Sequence, residues 1–536
     1  MKIIRFCIKH ISSKSQLLIY TSVYVLHSLL TLALPYLSGR LIDILVYSDD
    51  FAKLLNYCLY IAAISVIRLL LSYCIGIIYA GMFVNTSYGI SRFVVHHIHD
   101  CPVSKTDRID PAYYNQRISQ DAGAIVEFSV STIVGVLSTV IEFTAAVAII
   151  FTISPLIALI TVILLSAYIL FYCLLRKPLY ERGRLNREDQ AVYFSKMYEQ
   201  LHYTKFVKAH SLKSFFLERL HYSFNEFRNS FMKHQRVSVL FRSLDGIILA
   251  ISQLALYAIG GYQVMRRVMT IGSFTLISNF FSKLVNAASF FFSIGSSYQN
   301  ALISYNRILE ILLWEEEREG DEIPQAINSI TMSGVGFNYG DNQVLNGKNL
   351  EFLKGNLYVI AGRNGSGKST LSRLLLGLYK NEYEGSIKIN GIPIEDIDMA
   401  ALRGNTIGYI EQEPRLFTDT IEKNTLLWRE GPPESYACVR EMKLLDFVSQ
   451  IPEGWGSMIT PKNNNLSGGE KQRIALARLL IADCGVIILD EPTSSLDKNM
   501  AQSLIEYLVE IKKNRIIIVI THDERFMRIC DEVISL

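Results

Sequence analysis

Nine residues from Gly362 to Thr370 combine the residue types that bind nucleotide phosphates. They read Gly-Arg-Asn-Gly-Ser-Gly-Lys-Ser-Thr, between an apolar run, Leu357–Ala361, and a helix-like segment, Leu371–Leu376. Backbone N–H groups of such a loop, together with the positive end of the helix dipole, cradle phosphate oxygens. Lys368 is expected to reach the β- and γ-phosphates, and the Ser369 hydroxyl to bind Mg²⁺. A chance glycine-rich turn would not supply the whole pattern, so the sequence predicts a nucleoside triphosphate site.

Two further apolar segments end in side chains suited to phosphate hydrolysis. Val486–Leu489 leads into Asp490 and Glu491, and Arg515–Ile520 leads into Thr521 and His522. A carboxylate at the carboxyl edge of a sheet beside a phosphate loop suits Mg²⁺, which assigns Asp490 to the metal. Glu491 is then placed to act as general base toward water. His522 could reach the γ-phosphate, although a single histidine at a strand end is more often without such a role.

The segment Leu466-Ser-Gly-Gly-Glu470 supplies a second candidate phosphate site, because it precedes a helix-like run, Ile474–Arg478. One nucleotide needs only one phosphate loop. The second site therefore suggests that each chain offers this segment to the nucleotide of a partner. The alternative is an ordinary serine N-cap followed by glycines.

The elements that must position these residues occupy only the C-terminal part of the chain. The 536 residues are 50% hydrophobic and 19% charged, with a mean hydropathy of +0.25. Such a composition indicates membrane spans rather than a soluble enzyme. The net charge of +3 gives no case for a nucleic acid partner. The eight cysteines are scattered without a C-x-x-C pair, which indicates free thiols rather than a metal site or a disulfide framework.

Residues 1–314 are predicted to form an all-α transmembrane domain, because apolar runs long enough to cross a bilayer recur six times. The predicted spans are 16–38, 54–84, 128–152, 156–175, 237–262 and 268–295. Long, helix-patterned connections rich in Lys and Arg follow the second and fourth spans, although Arg266 and Arg267 run against this trend. The positive-inside rule places these connections, both termini and the C-terminal domain in the cytoplasm. A charged linker, 315–327, precedes short strands alternating with helices over 328–536, which predicts an α/β domain.

The order and spacing of the C-terminal motifs resemble those of an ATP-binding cassette (ABC) ATPase, a class of P-loop NTPase. The Leu-Ser-Gly-Gly-Glu signature is the most specific of them. The resemblance adds three roles: Gln412 near Mg²⁺ and the coupling interface, Tyr339 stacked on adenine, and Asp497 in the dimer D-loop. It implies that ATP and Mg²⁺ are bound by the residues named so far and by the rest of the phosphate loop: Gly362, Arg363, Asn364, Gly365, Ser366, Gly367, Lys368, Ser369 and Thr370. It also implies that a partner's ATP is bound by Leu466, Ser467, Gly468, Gly469 and Glu470.

The N-terminal part resembles the exporter branch of the same family through weaker motifs. Among them are the segment from Gly39 to Asp43, the segment Ile271–Thr275 and the later Arg307–Glu310. Six spans ahead of one cassette imply a half-transporter that pairs with a second chain, a homodimer in preference to a heterodimer. The resemblance implies that ATP closes the dimer and that loops near 103–116 and 203–210 pass this motion to the spans. Family members usually continue beyond the point where this sequence ends, at Leu536, but all the nucleotide motifs lie upstream.

Polar residues inside the predicted spans are the leads to a cargo. Glu142 and Arg68 are expected to contact a polar or zwitterionic cargo, or else to pair with each other or snorkel. The function expected is ATP-driven export of an amphipathic solute, for which a peptide is one candidate, from an inner (plasma) membrane. Two alternatives stay open: a non-transport protein such as an ATP-gated channel or a signalling partner, and a lipid flippase.

Overall fold

The computed structural model of the protein describes residues 2–48, 50–107, 111–317, 319–340, 342–363, 365–427, 429–460 and 466–536. The chain divides into two compact units. The first comprises Met1–His96 and Asp110–Leu313, and the second comprises His97–Ile109 and Trp314–Leu536. The short segment His97–Ile109, which the sequence analysis counted with the transmembrane domain, therefore belongs to the same compact unit as the C-terminal domain.

The first unit is helical throughout its described part. Its helices and the short helix α4 of the second unit are, in chain order, α1 Lys2–His10, α2 Lys14–Tyr47, α3 Phe51–His99, α4 Val103–Thr106, α5 Pro111–Ile153, α6 Pro155–His202, α7 Thr204–Ala209, α8 Lys213–Met265 and α9 Ile271–Leu312. Each predicted span lies on one long helix, except that residues 268–270 precede α9, whose N-cap is Thr270. Among the described residues, three stretches are long and apolar enough to cross a membrane: Lys14–Tyr47, Phe51–His99 and Ile118–Ile153.

The core of this unit forms where α5 and α9 pack against each other, with Ile150, Ile277 and Phe280 fully buried. The helix α2 crosses α9 closely, and a Cβ added at Gly272 would lie 2.0 Å from the carbonyl oxygen of Gly39. One turn further along α2, Asp43 accepts hydrogen bonds from the Gly272 N–H (2.8 Å) and the Thr270 hydroxyl (2.9 Å). The two exporter-like segments around Gly39 and Gly272 thus meet in space.

The second unit is an α/β domain. Its strands are β1 Ser329–Tyr339, β2 Asn342–Leu353, β3 Leu357–Ala361, β4 Glu384–Ile389, β5 Ile392–Pro393, β6 Ile407–Ile410, β7 Asp419–Thr420, β8 Met458–Ile459, β9 Val486–Asp490, β10 Ile516–Ile520 and β11 Glu532–Ser535. Its remaining α-helices are α10 Lys368–Leu375, α11 Met399–Asn405, α12 Ile421–Leu426, α13 Ala437–Glu441, α14 Gly468–Ile481, α15 Lys498–Ile511 and α16 Glu524–Ile529. Short 3₁₀ turns occur at Ile394–Asp396, Pro433–Ser435, Asp446–Gln450, Gly454–Gly456 and Lys512–Asn514.

A parallel sheet in the order β11-β3-β10-β9-β6 forms the centre of this unit, and an antiparallel sheet in the order β2-β1-β4-β5 lies beside it. Strands β9 and β10 are buried at every position, as expected when a parallel sheet is covered on both faces. Alternate side chains of β3 enter two different cores: Val359 packs in one, and Tyr358 and Ile360 pack in the other. This arrangement brings the carboxyl ends of β3, β9 and β10 to one edge.

Candidate nucleotide-binding site

The glycine-rich loop connects β3 to α10 in the predicted strand–loop–helix arrangement. Gly365 and Gly367 have φ values of +83° and +94°, a region that favours glycine. A Cβ at Gly362 would lie 2.6 Å from the Ser366 hydroxyl, so the loop is tightly closed there. The Lys368 ammonium donates to the Gly362 carbonyl (2.6 Å) across the loop. Asn364, which was also predicted to bind ATP, lies outside the described residues.

Three strand ends meet beside this loop. In the sheet register, Ile520 of β10 is opposite both Ile360 of β3 and Asp490 of β9. The Ser369 hydroxyl on α10 donates to the Asp490 carboxylate at 2.9 Å. Burial raises the pKa of Asp490, and the hydrogen bond from Ser369 opposes this effect. Two of the three residues predicted to hold Mg²⁺, Ser369 and Asp490, are therefore adjacent.

The predicted base and the predicted histidine follow two of these strands. Glu491 has a φ of +48°, which is strained for a residue with a side chain. Its N–H donates to the Ile520 carbonyl at 2.8 Å, and its carboxylate accepts from the Thr521 hydroxyl at 3.3 Å. The ring Nε2 of His522 is 3.1 Å from the Lys368 ammonium, so this histidine lies at the phosphate loop.

The buried Gln472 supports Glu491 from the helix α14. Its side-chain amide donates to the Glu491 carbonyl at 3.0 Å, and it is fully buried. This role of Gln472 could not be predicted from the sequence, because nothing in the spacing of Gln472 and Glu491 indicates that they touch. The contact holds the general-base candidate from the same helix that begins at the signature segment.

The signature segment starts α14 with a capping box. The Ser467 hydroxyl accepts from the Glu470 N–H at 3.3 Å, and the Glu470 carboxylate accepts from the Ser467 N–H at 2.6 Å. A Cβ at Gly469 would lie 2.6 Å from the Ser495 carbonyl oxygen, so glycine is needed there. The N-cap interpretation therefore describes the single chain. It leaves open the binding of a partner's nucleotide, since the first N–H groups of a helix have no intrahelical partner. Leu466, just before the cap, is half-buried.

A cleft of about 570 Å³ opens beside the Mg²⁺ candidates. Gln412 lines it together with Ser369, Asp490 and Gly468. Asp497 lies outside this lining and is the N-cap of α15, where its carboxylate accepts from the Met500 N–H at 2.9 Å. Arg363 is exposed on the phosphate loop, and Thr370 is buried in α10.

The predicted adenine-stacking residue belongs to a hydrogen-bonded group that the sequence analysis missed. The Tyr339 hydroxyl donates to the Tyr379 hydroxyl at 3.1 Å, and Arg373 donates to both hydroxyls, at 3.4 and 3.3 Å. Arg373 and the Tyr379 hydroxyl also contact the Asp107 carboxylate, at 3.4 and 3.1 Å. Burial, together with the hydrogen bond from Tyr339, raises the pKa of Tyr379 and keeps the phenol protonated. We call Tyr339, Arg373, Tyr379 and Asp107 the base-side network.

Asp107 belongs to the segment that the second unit takes from between α3 and α5. In this segment Val103 packs against a core that contains β3 and α10 residues. The Ser104 hydroxyl donates to the Glu382 carboxylate at 2.5 Å, and the Asp100 carbonyl accepts from the Glu317 N–H at 2.7 Å. The loop predicted near 103–116 therefore begins with a short helix that is attached to the nucleotide-binding unit.

The residues present fit ATP and Mg²⁺. The Ser366 hydroxyl is buried on the phosphate loop and has no hydrogen-bond partner among the described residues, as expected for a group that a ligand satisfies. The loop glycines leave open the cradle that side chains would fill. Mg²⁺ needs only one or two carboxylates from a protein when phosphates supply further oxygens, and Ser369 with Asp490 meets that need.

The predicted cargo residues lie in the first unit. Glu142 pairs with Lys283, whose ammonium is 3.6 Å from the carboxylate. Arg68 is half-buried. Among the described residues Glu142 forms an ion pair with Lys283 and none with Arg68, so the mutual pair that the sequence left open is not present in the structure.

Comparisons with known proteins agree with this fold. Residues 17–288 match the ABC transporter transmembrane region family, and residues 345–494 match the ABC transporter family of ATP-binding domains. The chain belongs to the ABC transporter family, and it is an integral membrane protein that carries a helical transmembrane region followed by one ATP-binding cassette.

The chain is also similar to individual proteins and to a solved structure. A "Probable ABC transporter ATP-binding/permease protein" of Haemophilus influenzae is 36% identical over 46% of this chain and 45% of its own length. The chain thus spans under half of that relative. An "ATP-dependent lipid A-core flippase" of Desulfotalea psychrophila is 27% identical over 92% of this chain and 87% of its own length. A solved bacterial Atm1-family ABC exporter with ATP bound shares the fold, with a TM-score of 0.82 and 21% identity over 98% of this chain and 93% of that chain.

Proposed function

We propose that this protein is an ATP-driven half-transporter that exports an amphipathic solute from the cytoplasm across or out of the membrane. The observation that carries the proposal is the assembled nucleotide site, Lys368, Ser369 and Asp490 beside Glu491, in the same chain as a transmembrane region. A peptide is one candidate class of cargo. An inner (plasma) membrane location, with both termini and the cassette in the cytoplasm, follows the Lys and Arg distribution of the connections.

The roles proposed for the site follow from where its residues lie. Lys368 binds the β- and γ-phosphates, and Glu491 takes a proton from the attacking water as general base. Ser369, Asp490 and Gln412 hold Mg²⁺, which neutralises phosphate charge when bound. His522, 3.1 Å from the Lys368 ammonium, contacts the γ-phosphate.

Two chains complete each site in this proposal. One chain supplies the phosphate loop, and its partner supplies Ser467, Gly468 and Gly469 at the start of α14. The half-transporter architecture supports dimerisation, and the complete set of motifs in this chain favours two equivalent sites in a homodimer. Asp497 caps α15 and follows Ser495, whose carbonyl lies against Gly469 of the signature segment. We propose that Asp497 contacts the partner chain beside that segment.

Coupling to the membrane region is proposed to run through the base-side network. Tyr339 stacks on adenine, and its hydroxyl shares Arg373 and Tyr379 with Asp107. A change in the position of Tyr339 on nucleotide binding would therefore reach the α4 segment through two hydrogen-bonding side chains. The α7 segment within 203–210 is proposed to play a matching role in passing the motion to the spans.

Lipid flipping is the second candidate, because the lipid A-core flippase relative matches this chain over most of both lengths. The ATP-gated channel or signalling alternative has no such support among the features described above. Export and flipping differ in what moves, not in the nucleotide site.

The test uses inside-out vesicles that contain the full chain. We expect ATP-dependent accumulation of a labelled amphipathic peptide, or ATP-dependent loss of a labelled lipid from the outer leaflet of the vesicle, and neither with Glu491→Gln. Peptide uptake favours the exporter and lipid movement favours the flippase. ATP hydrolysis without movement of either would contradict transport and favour a gating or signalling role.

A further inference from the structure

Four ionisable side chains of the helical unit lie close enough to interact electrostatically, each from a different helix. They are His27 on α2, Arg68 on α3, Glu142 on α5 and Lys283 on α9. Lys283 pairs with Glu142, and His27 interacts electrostatically with the other three. We call these four residues the four-helix charge cluster. Glu142 and Arg68 were visible as charges in apolar runs, whereas the fold adds His27 and Lys283.

The cluster lies at one depth in the membrane region. Each of its members is near the midpoint of a predicted span: 16–38, 54–84, 128–152 or 268–295. All four side chains are half-buried, and those of Lys283 and Glu142 are 17% and 27% exposed. Ionisable groups at the centre of a bilayer are costly and mark substrate or ion pathways. Four helices that bring such groups to the same level are difficult to explain by snorkelling alone.

The charges of the cluster do not balance. At their ordinary charges, Arg68 and Lys283 are two cations, and Glu142 is the single carboxylate of the cluster. Glu142 is already paired with Lys283. Within the part of the chain that the structure describes, no carboxylate lies within ion-pair distance of Arg68. A cation without a counter-ion is unfavourable in surroundings of low dielectric constant, so the cluster has one positive charge to be neutralised.

Resting on the proposed transport function, we propose that the four-helix charge cluster binds an anionic group of the cargo, a carboxylate or a phosphate. Arg68 supplies a planar fork of donors that matches either oxyanion. Lys283 supplies a second cationic donor. Glu142 holds Lys283 in place and competes with the cargo anion for it.

The ring system beside the cluster suits an amphipathic cargo. Tyr24 lies one turn before His27 on α2, and the two rings are 6.2 Å apart. Tyr20 continues this row, 6.0 Å from Tyr24 and 6.2 Å from Tyr79 of α3. An apolar portion of the cargo would follow these rings while its anionic group reaches Arg68. A cationic cargo would instead meet two repelling charges and a carboxylate that already has a partner.

The test measures equilibrium binding to the full chain without ATP, so that it does not depend on transport. One arm compares an amphipathic peptide that has a free C-terminal carboxylate with its amidated twin, using the chain in phosphatidylcholine nanodiscs. The other arm compares phosphatidylglycerol with phosphatidylcholine of the same acyl chains, by native mass spectrometry. We expect the anionic member of at least one pair to bind about tenfold more tightly, as a charge-assisted contact predicts.

Substitutions assign that preference to the cluster. Arg68→Gln and Lys283→Gln should each reduce the preference for the anion about tenfold, whereas Arg68→Lys, which keeps the charge but not the planar fork, should retain part of it. Glu142→Gln should strengthen anion binding severalfold, because it frees Lys283. Arg92→Gln is the matched control, since Arg92 is an exposed residue of the same helix as Arg68. Lys283→Gln keeps the test informative if Arg68→Gln does not fold.

The outcomes separate the two sources of the anion and the two proposals. A preference in the peptide arm alone identifies a solute carboxylate, and one in the lipid arm alone identifies a lipid headgroup. Equal binding within both pairs would overturn the inference. So would a preference for the anion that is as strong in Arg68→Gln and Lys283→Gln as in the control Arg92→Gln. Anion binding at the cluster with no ATP-dependent movement in vesicles would contradict the transport function instead.

Discussion

Glu491 combines a positive φ of +48° with contacts to two neighbouring segments. The Glu491 N–H donates to the Ile520 carbonyl, and the side-chain amide of Gln472 donates to the Glu491 carbonyl. Strain of this kind persists only where surrounding contacts hold it, and it is common at active sites. The backbone thus fixes the direction of the side chain that, in the proposed mechanism, faces water and the γ-phosphate.

Replacing that carboxylate separates binding from hydrolysis. Glu491→Gln should lower the ATPase rate about 10²-fold or more, because it removes the general base but leaves the phosphate loop intact. ATP should stay bound and the dimer closed, as seen by retained labelled nucleotide and by distances between labels on two chains. Lys368→Ala should abolish hydrolysis by removing the phosphate contact itself. Full turnover by Glu491→Gln would exclude it as the base.

At Asp490 we predict a trade-off between the thermal stability of the nucleotide-free chain and the binding of Mg²⁺. Burial raises its folded-state pKa above the ordinary 3.8, so its contribution to stability is fully present below pH 3.8 and is lost as pH rises through the folded pKa. At pH 7 the buried carboxylate is therefore destabilising in the absence of metal. Asp490→Asn should raise the Tm of the nucleotide-free chain by about 2 °C at pH 7.

The same variant should lose the further stabilisation that MgATP gives to the wild type, because Mg²⁺ needs the ionised oxygen. Thermal unfolding of the full chain in detergent, at pH 7 and at the lowest pH that it tolerates, measures both effects. A lower Tm without nucleotide at pH 7, or an unchanged response to MgATP, would contradict this account of Asp490.

At the scale of elements, the short helix α4 is attached to the nucleotide-binding unit by Val103, Ser104 and Asp107. Removing one hydroxyl from the base-side network should weaken this attachment without removing any proposed catalytic group. Tyr379→Phe should therefore leave basal hydrolysis within about twofold but reduce cargo-stimulated hydrolysis severalfold. The matched control is Tyr383→Phe, since Tyr383 donates to Glu395 at 2.5 Å within the cassette instead. Equal effects of the two variants would argue against coupling through the network.

The crossing of α2 and α9 depends on backbone contact. A Cβ at Gly272 would lie 2.0 Å from the Gly39 carbonyl oxygen, whereas a Cβ at Gly76 on α3 meets nothing within 4 Å. Gly272→Ala should lower the Tm of the full chain by several degrees, since the two helices must separate. Gly76→Ala should leave it unchanged or raise it slightly, because alanine favours helix. A similar Tm for both variants would contradict the close crossing.

Over the whole molecule, a residue's role could be predicted when the residues that it acts with are close to it in the sequence. It was missed when they are far away along the chain. The phosphate loop, Asp490 with Glu491, and His522 were predictable because each forms a short motif at a strand end. Parallel strands bring such ends to one edge without further information. The fold and the membership of the ABC transporter family were likewise predicted and are confirmed.

The missed residues are those whose roles exist only in three dimensions. Asp107 and Tyr379 are 272 positions apart, and no local pattern indicates that they touch. Lys283 was overlooked because its partner, Glu142, lies on another helix. In the signature segment, the capping box of Ser467 and Glu470 already accounts for these residues within one chain. The structure of one chain therefore gives no sign of a second, and only the sequence motif pointed to it.

That second chain is the central claim, and linked dimers test it most directly. Joining a Lys368→Ala chain to a Gly468→Asp chain leaves one site intact if each ATP lies between two chains, so about half of the wild-type ATPase rate should remain. Placing both substitutions in one chain and neither in the other should leave no intact site and almost no activity. The opposite result, activity only when both substitutions share one chain, would show that each chain forms its own complete site.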